Sequence, residues 1–479
     1  MARELLHKSA LDVGKLIAAK QVSPVELTQA LLDYAHEAND ATNAYISFRD
    51  EKALEEARRA EEEISAGRIR GPLHGVPLAI KDIFYVADET TTMGSKIHRD
   101  FVSGDDAAVV TKLRNAGMVL TGKLNMHEYA WGGTNNNPHF GPVRNPWDTD
   151  KIPGGSSGGS GAAVAADMSF ISLGTDTAGS VRIPAAACGI VGLKPTHGRV
   201  AKNGSFPLSW TLDHIGPMAK TVADAAALLQ TVAGFDSDDP TCVNTKVDDY
   251  LSALTGDPQG LVIGIEEDYF FHQVDHRVEE KVRAQITDLE SRGARVKKVS
   301  IPSLRYAEWA EYMTIMAESV AIHHQNLSER PDDFGDDVRF VLTLGELVSS
   351  TDFLQAQQIR HAMKNEFDRA LSEVDVLIAP TLPVMVPDIG SPVIELNGED
   401  VSTDDSVIRL TSPSNLTGLP ALSLPAGLVD GLPVGLQIIG RAFDERKVLQ
   451  VAHFIEQQNP MAGQYAPHSL SPRSEQSSP

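Results

Sequence analysis

Gly154-Gly155-Ser156-Ser157-Gly158-Gly159-Ser160-Gly161 runs without a break into Ala162-Ala163-Val164-Ala165-Ala166, and the fold of this chain turns on how that junction is read. On composition alone a Gly/Ser run is a flexible linker. A linker leads to a domain boundary, whereas this run leads into a good helix-forming sequence. Glycines entering a helix N-terminus can also cradle phosphate. The phosphate loop requires Gly-Lys-Ser/Thr after its glycines, and no lysine follows here. The third reading is catalytic. Glycine permits backbone conformations closed to other residues and lets a substrate approach closely, which would set Ser156 and Ser157 in a constrained polar cradle.

The next segment outward is Gly174-Thr175-Asp176-Thr177-Ala178-Gly179-Ser180-Val181-Arg182-Ile183-Pro184. Small residues before Ser180 would turn several backbone N–H groups toward one point, as an oxyanion hole requires. An ordinary turn could share that composition. A serine nucleophile also needs a base. The Gly-Xaa-Ser-Xaa-Gly elbow of α/β-hydrolases is met neither by Gly155-Ser156-Ser157-Gly158 nor by Gly179-Ser180-Val181. None of the fifteen histidines is singled out by context; His74, His127, His139, His197 and His214 lie in loop or strand-end settings and read as structural. Lys81 is the other base available. It follows the apolar run Val76–Ile80 and precedes Asp82, so it would project from the end of a buried strand. Desolvation there disfavours the ammonium and lowers its pKa. Without the serines, a surface lysine at a strand end would be the better reading.

Around these segments the sequence alternates. Strand patterns fall at Val76–Ile80, Val119–Thr121, Phe170–Leu173, Leu261–Ile265, Val374–Ala379 and Gly435–Ile439. Helical patterns fall between them at Ala107–Ala116, Val222–Ala233, Val278–Ser291 and Glu445–Gln457, with two amphipathic helices over Ser9–Ala38 and a charged one over Glu51–Ala66. Ser23-Pro24-Val25-Glu26 supplies an N-cap, a first-turn proline and a first-turn acid. Strands separated by helices predict an α/β protein with a parallel or mixed sheet. Ser303–Leu371 reads as helical throughout, a candidate cap or inserted layer at 303–371 inside one domain spanning 1–460. The Pro/Ser-rich end, 461–479, reads as a flexible tail.

The net charge of −23 repels phosphate backbones, so no nucleic acid is expected as the main ligand, although one basic patch is not excluded. Two cysteines, Cys188 and Cys242, are too few for a disulfide framework and lack zinc-site spacing, which leaves buried thiols in a reducing compartment. The first residues lack an apolar core of signal-peptide length and no run of 18 apolar residues occurs, so the expectation is a cytoplasmic protein with no membrane segment.

Several ordered motifs resemble the amidase signature family of hydrolases. They are Gly75-Val76-Pro77-Leu78-Ala79-Ile80-Lys81-Asp82, the whole of Gly154–Pro195 ending Gly192-Leu193-Lys194-Pro195, Leu120–Glu128, Asn137–Pro142, Val374–Thr381, Ser414–Ala421 and Gly431–Gln437. The resemblance implies a single domain built on a large twisted mixed β-sheet covered by helices on both faces. It implies that Ser180 is the acylated nucleophile. Ser156, after a cis peptide bond from Gly155, would relay the proton between Ser180 and Lys81, the general base. The N–H groups of Thr177, Ala178, Gly179 and Ser180 would hold the oxyanion, with Ser157 and Asp176 in support and Arg182 structural. Ala178 departs from the glycine many relatives carry, which leaves its N–H unchanged. No metal or organic cofactor is implied.

The expected activity is hydrolysis of a C–N bond in an amide, an aryl or alkyl amide, or a carbamate, through an acyl-enzyme. The alternative is a glutamyl-tRNA amidotransferase A-type subunit working with partners. Such subunits carry a carboxylate just before the motif matching Ser412-Pro413-Ser414-Asn415-Leu416, where this chain has Val407-Ile408-Arg409-Leu410 and its nearest acids at Asp404 and Asp405. A third alternative is an inactive binding protein of the same fold. The expected partner is a small-molecule amide, with self-association compatible. Tyr306, Trp309, Tyr312, Met313 and Met316 recur at helical spacing and form one face. That stripe either packs on the core or lines an apolar substrate pocket.

Overall fold

Eleven strands form one mixed sheet in the computed structural model, which describes residues 2–458 and, beyond them, Met461, Gln464, Ala466 and Pro467. Most of the tail expected over 461–479 therefore lies outside the described residues. In chain order the strands are β1 (Tyr45–Phe48), β2 (Pro77–Lys81), β3 (Val119–Leu124), β4 (Ile171–Asp176), β5 (Val191–Lys194), β6 (His214–Ala219), β7 (Val262–Ile265), β8 (Arg295–Lys298), β9 (Val376–Pro380), β10 (Val393–Leu396), β11 (Glu399–Ser402), β12 (Ala421–Val429) and β13 (Leu432–Ile439). The sheet order is β1-β3-β2-β4-β6-β5-β12-β13-β9-β7-β8, and β10 and β11 make a separate hairpin. Fifteen α-helices among the described residues accompany the strands. This is the α/β architecture with one large mixed sheet that the alternating pattern predicts.

One parallel trio positions everything that follows. β2 pairs in parallel with β3 on one side and β4 on the other, with Ile80 beside Leu173. All three strands are buried at every position, as parallel strands covered on both faces must be. Because they run the same way, Lys81 at the end of β2 and Asp176 at the end of β4 emerge at the same edge. The carboxyl ends of parallel strands are where open α/β sheets place their ligands.

The Gly/Ser run is not a linker. Gly158–Ala165 is an α-helix buried along almost its whole length. Its small residues let it lie against the backbone: a Cβ on Gly159 would come within 2.4 Å of the Asn125 carbonyl oxygen. Of the strands that escape the sequence patterns, two do so for identifiable reasons. β12 contains Pro425 and Gly427, both poor strand residues, and the ladder with β13 breaks register between them. β6 contains Pro217. The β12–β13 turn at Asp430-Gly431 has positive φ at both residues, the geometry Asp-Gly hairpins prefer.

The stretch 303–371 is helical as expected. It holds a 3₁₀ turn at Pro302–Tyr306 and helices Ala307–Glu329, Asp336–Gly345 and Ser350–Glu373, the last opened by a Ser349/Asp352 capping box. Both cysteines are free and buried. Among the described residues no helix is long and apolar enough to cross a membrane.

Candidate active site

Lys81 is fully buried and its Nζ donates to Ser156 Oγ at 2.7 Å and to Thr175 Oγ1 at 2.8 Å. No carboxylate among the described residues pairs with it. Its neighbour Asp82 is turned to a second buried lysine, Lys123, whose Nζ lies 2.8 Å from Asp82 Oδ1. Burial therefore pushes the Lys81 pKa down from 10.5 to about 7, against a smaller upward pull from Asp213 and Asp176. A lysine held this way can be neutral at physiological pH and take a proton from a hydroxyl.

The Gly155–Ser156 peptide is cis. Ser156 is buried, and its carbonyl accepts from His127 N–H at 3.1 Å. Ser157 Oγ donates to the Thr175 carbonyl at 3.1 Å, and its backbone N–H donates to the Ser180 carbonyl at 3.3 Å. That bond ties the Gly/Ser run to the second loop. No hydrogen bond joins the Ser156 and Ser180 hydroxyls here; such contacts commonly close only when substrate fills a site.

Asp176 organises the loop that carries Ser180. Its carboxylate accepts from Gly179 N–H at 2.8 Å, from Val181 N–H at 3.2 Å, from Arg182 Nε at 3.0 Å and from Asn415 Nδ2 at 2.8 Å. Burial alone would raise its pKa, but Arg182 outweighs that and holds the carboxyl below the usual carboxylate range. Arg182 is itself fully buried and bonds Ser414 at 2.7 Å and Asn415 at 2.6 Å, so it is spent on structure. Of the four N–H groups expected to face an oxyanion, Gly179 donates to Asp176, while Thr177, Ala178 and Ser180 have no acceptor among the described residues. Gly179 sits at φ +126°, and a Cβ there would lie 2.2 Å from Thr411 Oγ1.

Ser180 opens into a cavity of about 100 Å³, bounded on the sheet side by Thr177 and Ala178 and on the other by the helical stretch. That is well below the roughly 300 Å³ at which drug-sized pockets begin. A larger groove of about 380 Å³ lies elsewhere, lined by residues such as Arg49, Glu56, Glu63, Arg70 and Glu89. Two of its guanidinium groups are taken by ion pairs, Arg49 with Glu56 and Glu89 and Arg70 with Glu63.

Of the apolar stripe, only Tyr312 lines the cavity. Its hydroxyl donates to Asp405. Tyr306 and Trp309 are 45% and 37% exposed, Met313 packs on the main core, and Met316 is half-buried with its carbonyl near Gly345. The helix Ala307–Glu329 is turned so that Glu311, Tyr312 and Ile315 face the site. Helix Asp336–Gly345 adds Asp337 and Val341, and helix Thr403–Arg409 adds Asp404 and Ile408, one turn apart. His127, read as structural, also lines the wall and bonds Asp337 across 2.8 Å. Sequence reasoning missed Thr175, which only the β2–β4 register brings to Lys81. It also missed Glu311, which reads as a solvent-facing helix position.

A buried lysine, two serines on glycine-rich loops and free N–H groups at the carboxyl edge of a parallel trio define a serine hydrolase of the Ser-Ser-Lys kind. The model of the Amidase family matches residues 26–449, and the chain belongs to the amidase signature family. It is 42% identical to a protein of Exiguobacterium sibiricum named as the A subunit of glutamyl-tRNA(Gln) amidotransferase, over 94% of this chain and 97% of that one. A solved structure described as part of a vestigial protein complex revealing the origins of an s-triazine catabolic enzyme superposes with a TM-score of 0.91 at 33% identity, covering 94% of this chain and 98% of the other. The A subunit of the glutamyl-tRNA(Gln) amidotransferase of Thermotoga maritima superposes with a TM-score of 0.76 at 36% identity, covering 90% and 92%.

These relatives correct the expectation about partners. The sequence pointed to a small-molecule amide alone, without nucleic acid and with at most self-association. Relatives named as one subunit of an enzyme that is itself named for a tRNA overturn that reading. The physical reason is plain: a net charge of −23 describes the surface of this chain only, and says nothing of what other members of an assembly bind.

Proposed function

We propose that this chain is the amide-cleaving, A-type subunit of a heteromeric amidotransferase, with Ser180 as its nucleophile. The observation that carries the chemistry is the unpaired, buried Lys81 at 2.7 Å from Ser156. Identity of 42% along nearly the whole of both chains supports the assembly. In the reaction, neutral Lys81 takes the Ser156 proton as Ser156 takes that of Ser180, and Ser180 Oγ attacks the amide carbon. The carbonyl oxygen gains the negative charge and meets the free N–H groups of Thr177, Ala178 and Ser180. Return of the proton to the amide nitrogen lets ammonia leave, giving an ester on Ser180. Water, activated by the same relay, then releases the carboxylic acid. The helices within 303–371 act as a cap that shields this sequence from bulk water.

The acid missing just before the Ser412–Leu416 motif has a counterpart, since Asp404 stands one helical turn from Ile408 in the cavity wall. A second reading, hydrolysis of an amide that is not glutamine, is favoured by one observation: no lysine or arginine lines the cavity to receive an α-carboxylate. Ammonia release is to be measured with glutamine and with simple primary amides, for the chain alone and for the complex it retrieves from its source cells. Glutamine turnover that depends on the complex supports the A-type reading. Efficient turnover of simple amides by the lone chain, with glutamine refused in both forms, contradicts it.

A further inference from the structure

Glu311 is 1% exposed, and neither of its carboxyl oxygens has a hydrogen-bond partner among the described residues. It nevertheless lines the cavity that Ser180 opens into. Buried polar groups are almost always satisfied, and an orphaned carboxyl is costly in proportion to its charge. Stability does not call for an acid here, because a glutamine or an apolar residue would fill the same space. Arg360 makes no hydrogen bond to it, being committed to Thr211 and Gln357 at 2.7 Å each and to the Leu416 carbonyl at 3.2 Å, although its charge partly offsets the burial that holds the Glu311 carboxyl well above the ordinary carboxylate range. Arg182 is likewise committed to Asp176, Ser414 and Asn415. The carboxyl is therefore left for something that enters the cavity.

The rest of the wall indicates the sign of that group. Asp404 and Asp337 stand at the mouth, Asp404 exposed and the Asp337 side chain 50% exposed. The remaining lining is Trp131, Leu208, Tyr312, Ile315, Val341 and Ile408 with small residues and His127, and no lysine or arginine is among it. The acidic residues at the mouth raise the local concentration of a cation, and an ammonium that reaches the buried Glu311 carboxyl favours its ionised form by pairing with it. The geometry points to Glu311 as a specificity residue that receives an ammonium group on the substrate, so that the preferred substrate is a small primary amide carrying an amino group a few carbons from the scissile carbonyl. This rests on Ser180 being the acylated residue, and it names the substrate class for that site. It adds no bond-making step: the ammonium is held by a charge-assisted hydrogen bond while the amide carbonyl lies against Ser180.

The test compares 4-aminobutanamide with pentanamide, which differ only by an ammonium in place of a methyl group. Calorimetric affinities are measured on full-length Ser180→Ala, in which chemistry cannot intervene, and on the same chain also carrying Glu311→Gln. The expected result is a preference of at least about tenfold for the ammonium amide, the size of one charged hydrogen bond, reduced to about twofold or less by Glu311→Gln. Glu311→Asp, which keeps the charge one carbon back, is expected to retain part of it. A preference that survives Glu311→Gln, or a first variant that binds pentanamide equally well, overturns the proposal. The catalytic reading fails separately: turnover of either amide by Ser180→Ala would sink the nucleophile while leaving the binding comparison to decide on Glu311.

Discussion

Lys81 concentrates the chemistry of this molecule in one atom. Its pKa of about 7 lies below the ordinary 10.5 because burial disfavours the charged form by more than the pull of Asp213 and Asp176 restores. The neutral amine is the active form, and its fraction grows as protons leave. We therefore expect kcat/KM for an uncharged amide to rise about tenfold per pH unit below the lysine's pKa and to level off above it. A profile flat from well below 7 to well above it would show that another group is the base. Arg182 gives a prediction of a different kind. Replacing it with methionine leaves the Asp176 carboxylate buried without its partner, and loss of about 3–5 kcal/mol is expected in chemical denaturation. Because the folded pKa of Asp176 is depressed, the stability it contributes is present above the unfolded carboxyl pKa and is lost as pH falls through the folded one. An Arg182→Met chain as stable as the parent would contradict the account of this pair.

At the scale of elements, the loop between β4 and the helix Arg182–Cys188 depends on one glycine. Gly179→Ala would bring a Cβ to 2.2 Å from Thr411 Oγ1 at a backbone φ of +126°. The loop must shift, moving the N–H groups of Ala178 and Ser180, and kcat is expected to fall by about 10² or more, the size of one lost oxyanion donor. Unchanged kcat would mean those N–H groups do not hold the oxyanion. Trp309→Ala should do little: with 37% exposure on the outer side of its helix, it should cost well under the roughly 3 kcal/mol of a core tryptophan and leave amide ranking unaltered. A collapse in that ranking would return the aromatic stripe to the pocket.

These elements also show what sequence could and could not carry. The Lys81, Ser156 and Ser180 segments were legible because glycine-rich loops next to buried strands need unusual residues in fixed order. β2, β4 and β9 were legible as short apolar runs. Their order in the sheet was not, since pairing depends on contacts between distant segments, as β12 lying between β5 and β13 illustrates. The cavity face of helix Ala307–Glu329 is not legible from hydrophobic spacing, for a physical reason. Hydrophobic spacing finds the side that packs or is merely apolar, and it passes over a side whose purpose is served by a glutamate.

The whole molecule is a rigid α/β frame that brings β2 and β4 out at one edge and leans a helical layer over them. Its identity of 42% and 41% with two proteins named as A subunits runs along nearly its full length. The central claim remains that an amide carbon is transferred to Ser180. It is tested most directly by intact-protein and peptide mass measurement after brief exposure to a serine-directed fluorophosphonate, comparing the parent with Ser180→Ala and Lys81→Ala. The account predicts a single adduct on the peptide carrying Ser180, absent from Ser180→Ala and slowed by several powers of ten in Lys81→Ala. An adduct that forms on Ser180→Ala at the parent's rate would contradict it.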